Sequence, residues 1–315
     1  MNKKYSSILV TGSIAFDEIA DFPGKFMDFI QPDKLHQINI SFNVSRLDKQ
    51  LGGIATNIAY NLSLMTDKKK IILSGIGKDG NVFMNFFKKH AIDTSALVVD
   101  DILYTASGRV MTDMNHNQIW SFYDGACNSA KKIEISKISD KNSLVMLGAI
   151  ESEAMMSLQK QAIKLGLDYI YDPGFAMTRI SKEALQEGVN HCKMLIGNDY
   201  EVAQLQRLFD FNVETFIKKG SALITTLGKE GVCYQDAEKN ITVPAYKLET
   251  ILDPTGAGDA WRGGFIAGLL EDQSLEESLK WGNALASFAV QKYGTVNHNP
   301  TKDEIKKRAS SLIII

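Results

Sequence analysis

Short, uninterrupted apolar runs alternate along this chain with longer stretches whose apolar residues recur at helical spacing. Ile8-Leu9-Val10 opens the series, and Ile71-Ile72-Leu73 follows a helical stretch over 57–65. Leu144-Val145-Met146-Leu147, Tyr169-Ile170-Tyr171, Met194-Leu195-Ile196 and Ala222-Leu223-Ile224-Thr225 continue it, with helical stretches over 151–165, 181–190 and 201–209 between them. Beyond Asp259 the pattern is helical through Leu270 and again over 275–293. Strands that are apolar at every position are buried on both faces, and interleaved helices join such strands in parallel. The pattern therefore predicts an α/β fold over residues 1–315: one doubly wound domain, its sheet mostly parallel, with helices on both faces.

Two segments, 38–51 and 104–123, break the alternation. The first runs apolar and polar by turns through Ile38, Ile40, Phe42 and Val44; the second does so through Val110, Thr112 and Met114, then Trp120 and Phe122. An antiparallel sheet covered on one face has this period. The expectation is a small β-sheet lid whose strands are inserted at about 22–51 and 104–124, with edge strands of the main sheet as the alternative. The apolar end, Ser311-Leu312-Ile313-Ile314-Ile315, reads as a strand or a packed tail.

Composition narrows the class of function. A net charge of −2 without a Lys/Arg block lacks the concentrated basic surface that a sequence-independent grip on nucleic acid needs. Cys127, Cys192 and Cys233 lie far apart with no metal-ligand spacing, as small core residues do in a reducing compartment. Gly12, Asp17 and Glu18 interrupt the first apolar run too early for a signal peptide, and no segment approaches the roughly 20 apolar residues of a membrane span. The expected protein is cytoplasmic, without a nucleic-acid or membrane partner.

The chemistry concentrates in Asp253-Pro254-Thr255-Gly256-Ala257-Gly258-Asp259. Gly256 and Gly258 clear side chains from backbone N–H groups, and a helix beginning near Asp259 would aim its positive end at the same point. Such a cradle holds a phosphoryl group, and Asp259 beside it can take a proton from a hydroxyl. The plainer reading is a glycine turn with Asp as helix cap.

Other turns repeat the theme. Gly12-Ser13 and Asp17 follow the first strand, at the end where ligands gather in parallel sheets. Gly52-Gly53 opens a helix carrying Asn57, and these residues with Ser13 and Asp17 form the candidate substrate site. Gly75-Ile76-Gly77-Lys78-Asp79-Gly80 spells G-x-G-x-x-G, yet Asp79 would repel a pyrophosphate, so a structural turn is expected there. Asn198 and Glu201 begin a helix; Glu201 could hold Mg²⁺ through water, or the two could form a capping box. Thr226, Gly228 and Gly231 make a strand-turn-strand with room for a nucleotide, and Asn283 either lines a base pocket or is a satisfied helix residue.

In this order, the segments resemble the ribokinase/PfkB family of sugar and nucleoside kinases over residues 12–294. The resemblance implies a doubly wound α/β domain with a β-sheet lid, ATP with Mg²⁺ as donor, and a hydroxymethyl group as acceptor. It implies Asp259 as catalytic base, Gly256, Ala257 and Gly258 as anion hole, and Asp17, Gly53 and Asn57 on sugar hydroxyls. Asp253 and Thr255, with 289–294 opposite, fall near where some members bind a monovalent cation such as K⁺. Lids in this family also serve as dimer interfaces, so a monomer or a homodimer through the lid is expected.

Within the family, the Asp253–Phe265 motif is similar to that of bacterial adenosine kinase-like members, with Arg262 where ribokinases often carry Asn. Ser41-Phe42 and Ser121-Phe122-Tyr123-x-Gly125-Ala126 look like that subgroup too, and lid aromatics, with Phe16, suit stacking on a purine. The expected reaction is adenosine to AMP. The alternatives are a sugar kinase for ribose, fructose or a sugar acid, the last needing a lid cation such as Arg109, and a catalytically idle nucleoside-binding protein.

Overall fold

Every residue of the first strand, β1 (Ser7–Thr11), is buried inside an eight-stranded sheet. The structure, a computed structural model, describes residues 3–30, 36–37, 39–115 and 117–315. After β1 come β2 (Ala15–Asp21), β3 (Arg46–Gly52), α1 (Ile54–Ser63), β4 (Lys69–Leu73), β5 (Gly75–Gly77), α2 (Asn81–Lys89), β6 (Val98–Asp100), β7 (Ala106–Thr112) and β8 (Gln118–Tyr123). Then follow β9 (Ser143–Gly148), α3 (Ser152–Lys164), β10 (Tyr169–Asp172), α4 (Lys182–His191), β11 (Met194–Asn198), α5 (Asp199–Phe209), α6 (Val213–Lys218) and β12 (Ala222–Thr226). The chain closes with β13 (Val232–Gln235), β14 (Asn240–Val243), α7 (Ala257–Leu270), α8 (Leu275–Ala289) and α9 (Lys302–Ser310).

The main sheet has the order β14-β13-β12-β11-β10-β9-β1-β4. It is parallel from β4 to β12, and β13 and β14 extend it antiparallel at one edge. Pleating sends Ile8 and Val10 into one hydrophobic core and Leu9 into the other. Helices α1, α2, α7, α8 and α9 cover the first core, and α3 to α6 cover the second. This is the expected doubly wound arrangement. The chain leaves β1 toward β4 on one side and later builds outward from β9 on the other, so the winding reverses beside β1. The carboxyl ends of the strands around such a reversal form the natural ligand crevice.

A separate four-stranded sheet, β3-β2-β7-β8, forms the lid. It differs from the expectation in two respects: β2 and β7 pair parallel, so the sheet is mixed and not purely antiparallel, and its strands are drawn from different segments. Residues 39–44 form no strand and Ile38 lies outside the described residues, whereas Ala15–Asp21, read only as a turn and a ligand-facing Asp, is a lid strand. Aromatic packing overrides the alternation: the Phe42 ring lies 4.8 Å from Phe22, 5.2 Å from Phe26 and 5.7 Å from Phe29, centroid to centroid. At the far end, Leu312 is buried and Ile315 exchanges two backbone hydrogen bonds with Thr242, of 3.3 and 3.0 Å, so the tail packs along β14.

Helix α7 is buried from Ala260 to Leu270, and glycine makes that possible. A Cβ at Gly263 would stand 2.4 Å from Asn61 Cβ on α1, and one at Gly264 would stand 2.6 Å from the Trp281 carbonyl oxygen on α8. Backbones therefore meet where side chains ordinarily intervene. Gly264→Ala should destabilise the protein by about 1–3 kcal/mol through overpacking, read from urea unfolding. An unchanged midpoint would contradict this α7–α8 contact.

Candidate active site

The amino end of α7 points into the crevice at the carboxyl edge of the main sheet. Gly256 caps it with φ +74°, a conformation that glycine adopts without strain. The Ala257 N–H donates to Pro254 O at 3.2 Å, and Ala260 N–H begins the helical ladder on Gly256 O at 2.9 Å. The N–H groups of Gly256, Gly258 and Asp259 have no acceptor among the described residues. Free amides therefore stand at Gly256, Gly258 and Asp259, whereas that of Ala257, expected among them, is spent on the turn. The turn is braced by Asp253, whose Oδ1 accepts from Thr255 N–H and whose Oδ2 accepts from Gly294 N–H, each at 2.9 Å.

Asp259 lies in the first turn of α7, where Asn57 Nδ2 on α1 donates to its Oδ2 at 2.8 Å. Burial pushes its carboxyl up to about 6; Arg262 and the Asn57 bond work against that rise, and Asp172 and Glu201 add to it. Asp17 on β2 is also pushed up to about 6, by burial first and then by Asp259 and Asp253. These two carboxyls face one space and repel each other's charge. Gly52 is what admits Asp17: a Cβ there would lie 2.0 Å from its Oδ2. Asn57 Oδ1 is buried with no partner among the described residues, an acceptor left over once its Nδ2 donates to Asp259.

Several predicted site residues serve the scaffold instead. Ser13 Oγ accepts from Ile54 N–H at 3.2 Å and so caps α1, and a Cβ at Gly53 would stand 2.5 Å from the Ser13 carbonyl oxygen. Asn283 does not line a base pocket: its Oδ1 accepts from Trp261 Nε1, and its Nδ2 donates to the Val243 and Pro244 carbonyls, all at 2.8 Å. With its donors used and its side chain buried, it clamps α7 and α8 to the end of β14. Asn198 and Glu201 do form a capping box, each side chain taking the other's backbone N–H at 2.7 Å. Glu201 nonetheless reaches toward the site, its pKa raised by burial and Asp172. Thr226 ends β12, Gly228 faces open space, and Gly231 makes room for the Val243 carbonyl, 2.1 Å from a notional Cβ. The G-x-G-x-x-G run is a structural turn: Gly77 sits against Thr105 N, 2.2 Å from a notional Cβ, and Asp79 accepts from that same amide at 2.8 Å.

Phe16, weighed as a stacking residue, is buried against Phe83 and lies on the opposite lid face from its neighbour Asp17. Sequence reasoning missed Asp172. It ends β10, and its Oδ2 accepts from Arg262 Nε at 2.5 Å in a buried ion pair. The signal was present, since Asp172 follows an apolar strand as Asp17 follows β1. Among the described residues, no cluster of three or more His, Cys, Asp or Glu could hold a metal ion by itself, and no helix is long and apolar enough to cross a membrane.

Comparison with known proteins places this geometry. Residues 19–302 match the model of the pfkB family of carbohydrate kinases. The nucleoside kinase of Methanocaldococcus jannaschii is 28% identical over 98% of this chain and 98% of its own. Its crystal structure, described as that of an archaeal member of the ribokinase family, superimposes with a TM-score of 0.86 over 98% of this chain and 99% of its own. The nucleoside kinase of Methanothermobacter thermautotrophicus is 29% identical over 96% of this chain and 94% of its own. The Burkholderia thailandensis nucleoside kinase, solved with inosine, is 26% identical with a TM-score of 0.85, covering 96% of this chain and 97% of its own.

A carboxyl that titrates near 6 when folded and near 4 when unfolded binds its proton more tightly in the native state. Its contribution is therefore favourable at low pH and is lost as pH rises through about 6. Asp259→Asn should be more stable than the parent by about 2 kcal/mol at pH 8 and gain nothing at pH 4, measured by urea unfolding. Lower stability of the variant at pH 8 would contradict the site's electrostatics.

Proposed function

The chain belongs to the pfkB family of carbohydrate kinases, and from that premise we propose that it transfers the terminal phosphoryl group of ATP to the 5′-hydroxyl of a nucleoside, adenosine foremost. It is a phosphotransferase with an alcohol group as acceptor. The nucleoside reading rests on one row of the lid. Pairing sets Asp17 opposite Gly108 and Gly108 opposite Phe122 on one face. A Cβ at Gly108 would stand 3.6 Å from Asp17 Oδ1 and 3.5 Å from the Phe122 ring, so the bare glycine leaves a slot between a hydroxyl acceptor and an aromatic surface. Phe175, from the main-sheet side, approaches Phe122 at 5.8 Å between ring centroids. Ribose on the carboxylate and base against the rings fit that slot. The nucleoside kinases of the preceding comparison support the same acceptor class.

Rival acceptors fare worse. A sugar acid would need a free lid cation, but Arg109 Nε is paired with Glu18 at 2.8 Å on the opposite face from Asp17. An idle binding protein would have no use for a buried carboxylate, held by Asn57, beside three amides without an acceptor among the described residues.

The chain's residues divide the work as follows. Asp17 accepts hydrogen bonds from ribose hydroxyls and orients the sugar. Asp259, steadied by Asn57, takes the 5′-hydroxyl proton as that oxygen attacks phosphorus. The N–H groups of Gly256, Gly258 and Asp259 receive the charge on the transferring group. Glu201 has one carboxylate oxygen in the capping box and the other without a partner among the described residues, which fits a water-mediated hold on Mg²⁺. Held there with ATP, Mg²⁺ would supply positive charge to the phosphates. The loop at Thr226 and Gly228 borders the nucleotide. A K⁺ ion beside Asp253 and Thr255 would draw on carbonyls of 289–294, because both Asp253 oxygens already accept amides. A homodimer would form through the lid, whose outer strand β8 is exposed at every position.

Purified protein with ATP and Mg²⁺ should phosphorylate adenosine or a related purine nucleoside faster than ribose, fructose or a sugar acid. A preference for a free sugar would overturn the acceptor assignment. Asp259→Asn should lower kcat by about 10³-fold or more while ATP affinity, measured by calorimetry, holds. For the parent, kcat/KM should fall on acidification through about pH 6, as the base is protonated. A flat profile from pH 5 to 8, on the order of three units, would count against Asp259 as base.

A further inference from the structure

Arg262 is the one strongly buried cation at the crevice among the described residues, 7% exposed, and the roles assigned above leave it unused. On a helix, side chains lean toward the amino end, so the side chain at 262 runs back over the turn holding Gly258 and Asp259. Its Nη1 stands 2.9 Å from the point where a Cβ at Gly258 would sit. The guanidinium therefore lies against the anion cradle, and the cradle's second glycine is bare partly to admit it. Asp172 from β10, Asp259 from α7 and Glu201 from α5 all act on its charge.

Donor arithmetic then separates a counter-ion from a ligand-binding group. Nε is satisfied by Asp172. Neither Nη1 nor Nη2 has an acceptor among the described residues. A guanidinium held so deep with unused donors is costly unless something completes them. A simple counter-ion to Asp172 would not need its free fork turned along a row of bare amides. Tetrahedral phosphoryl oxygens match a planar fork of parallel N–H groups.

We propose that Arg262 is a further phosphoryl-contacting residue: from beneath Gly258 its Nη groups donate to oxygens of the nucleotide's terminal phosphate, while Asp172 fixes the guanidinium by Nε. This rests on the phosphotransfer reading above. It adds a fixed positive charge to the amide cradle and needs no change in the proton path.

The test compares Arg262→Gln, Arg262→Lys and Arg262→Ala with the parent, with melting temperatures recorded for each. Arg262→Gln should lower kcat by about 10²-fold at unchanged KM for the nucleoside, and Arg262→Lys should fall between. Free guanidinium ion should restore part of kcat to Arg262→Ala, a rescue that a purely structural role would not show. By calorimetry without acceptor, the parent should bind ATP more tightly than ADP, and Arg262→Gln should erase about tenfold of that preference. A kcat within threefold of the parent, on the order of assay noise, would overturn the proposal, as would a loss fully recovered at higher pH, which would make Arg262 only a tuner of Asp259. If no nucleoside is turned over but Arg262→Gln still erases the ATP preference, the acceptor assignment falls and the role of Arg262 stands. An unaltered ATP preference in folded variants would sink it independently of the acceptor.

Discussion

An ionisable carboxylate held at the amino end of a buried helix is the constraint on which this molecule is organised. Asp259 must stay in a half-dry setting, where its charge is costly, and still be free to meet a hydroxyl. Around it the structure supplies one neutral donor, Asn57, one buried cation, Arg262, and a helix end whose amides are unspent. Placing the helix there demands in turn that α7 be sunk between α1 and α8. Its glycines at 263 and 264 are the packing consequence of a chemical requirement.

The same economy shapes the lid. β2 leaves β1 after only three residues, so a strand of the main sheet hands the chain directly to the sheet that closes over it. Asp17 therefore rides on the lid while Asp259 stays with the core, and the Asp259 charge adds to burial in raising the Asp17 pKa.

The main sheet was legible because six strands apolar at every position admit one arrangement, parallel and covered on both faces. The lid was less so. Ile40, Phe42 and Val44 alternate as a strand does, but an aromatic cluster on Phe42 settles their fate, and such tertiary packing has no period to read. Among site residues, Asp259, Asp17 and Asn57 stood out as polar groups beside glycine turns at strand and helix ends, although a capping turn reads the same way. Ser13 and Asn283 misled because capping and clamping use the same donors and acceptors as ligand binding. Asp172 escaped notice because its partner, Arg262, is distant in sequence and meets it only once β10 and α7 are packed.

The state of the Asp259 side chain decides the chemistry of this site, and carbon-13 NMR of protein labelled at aspartate carboxyls observes it directly. The Asp259 resonance, assigned through Asp259→Asn, should titrate near pH 6 in the free protein. It should also shift when ADP is added, because the cradle amides share its turn. A titration in the ordinary carboxylate range near 4, with no response to nucleotide, would mean that this carboxylate is neither confined by the fold nor beside the phosphate site.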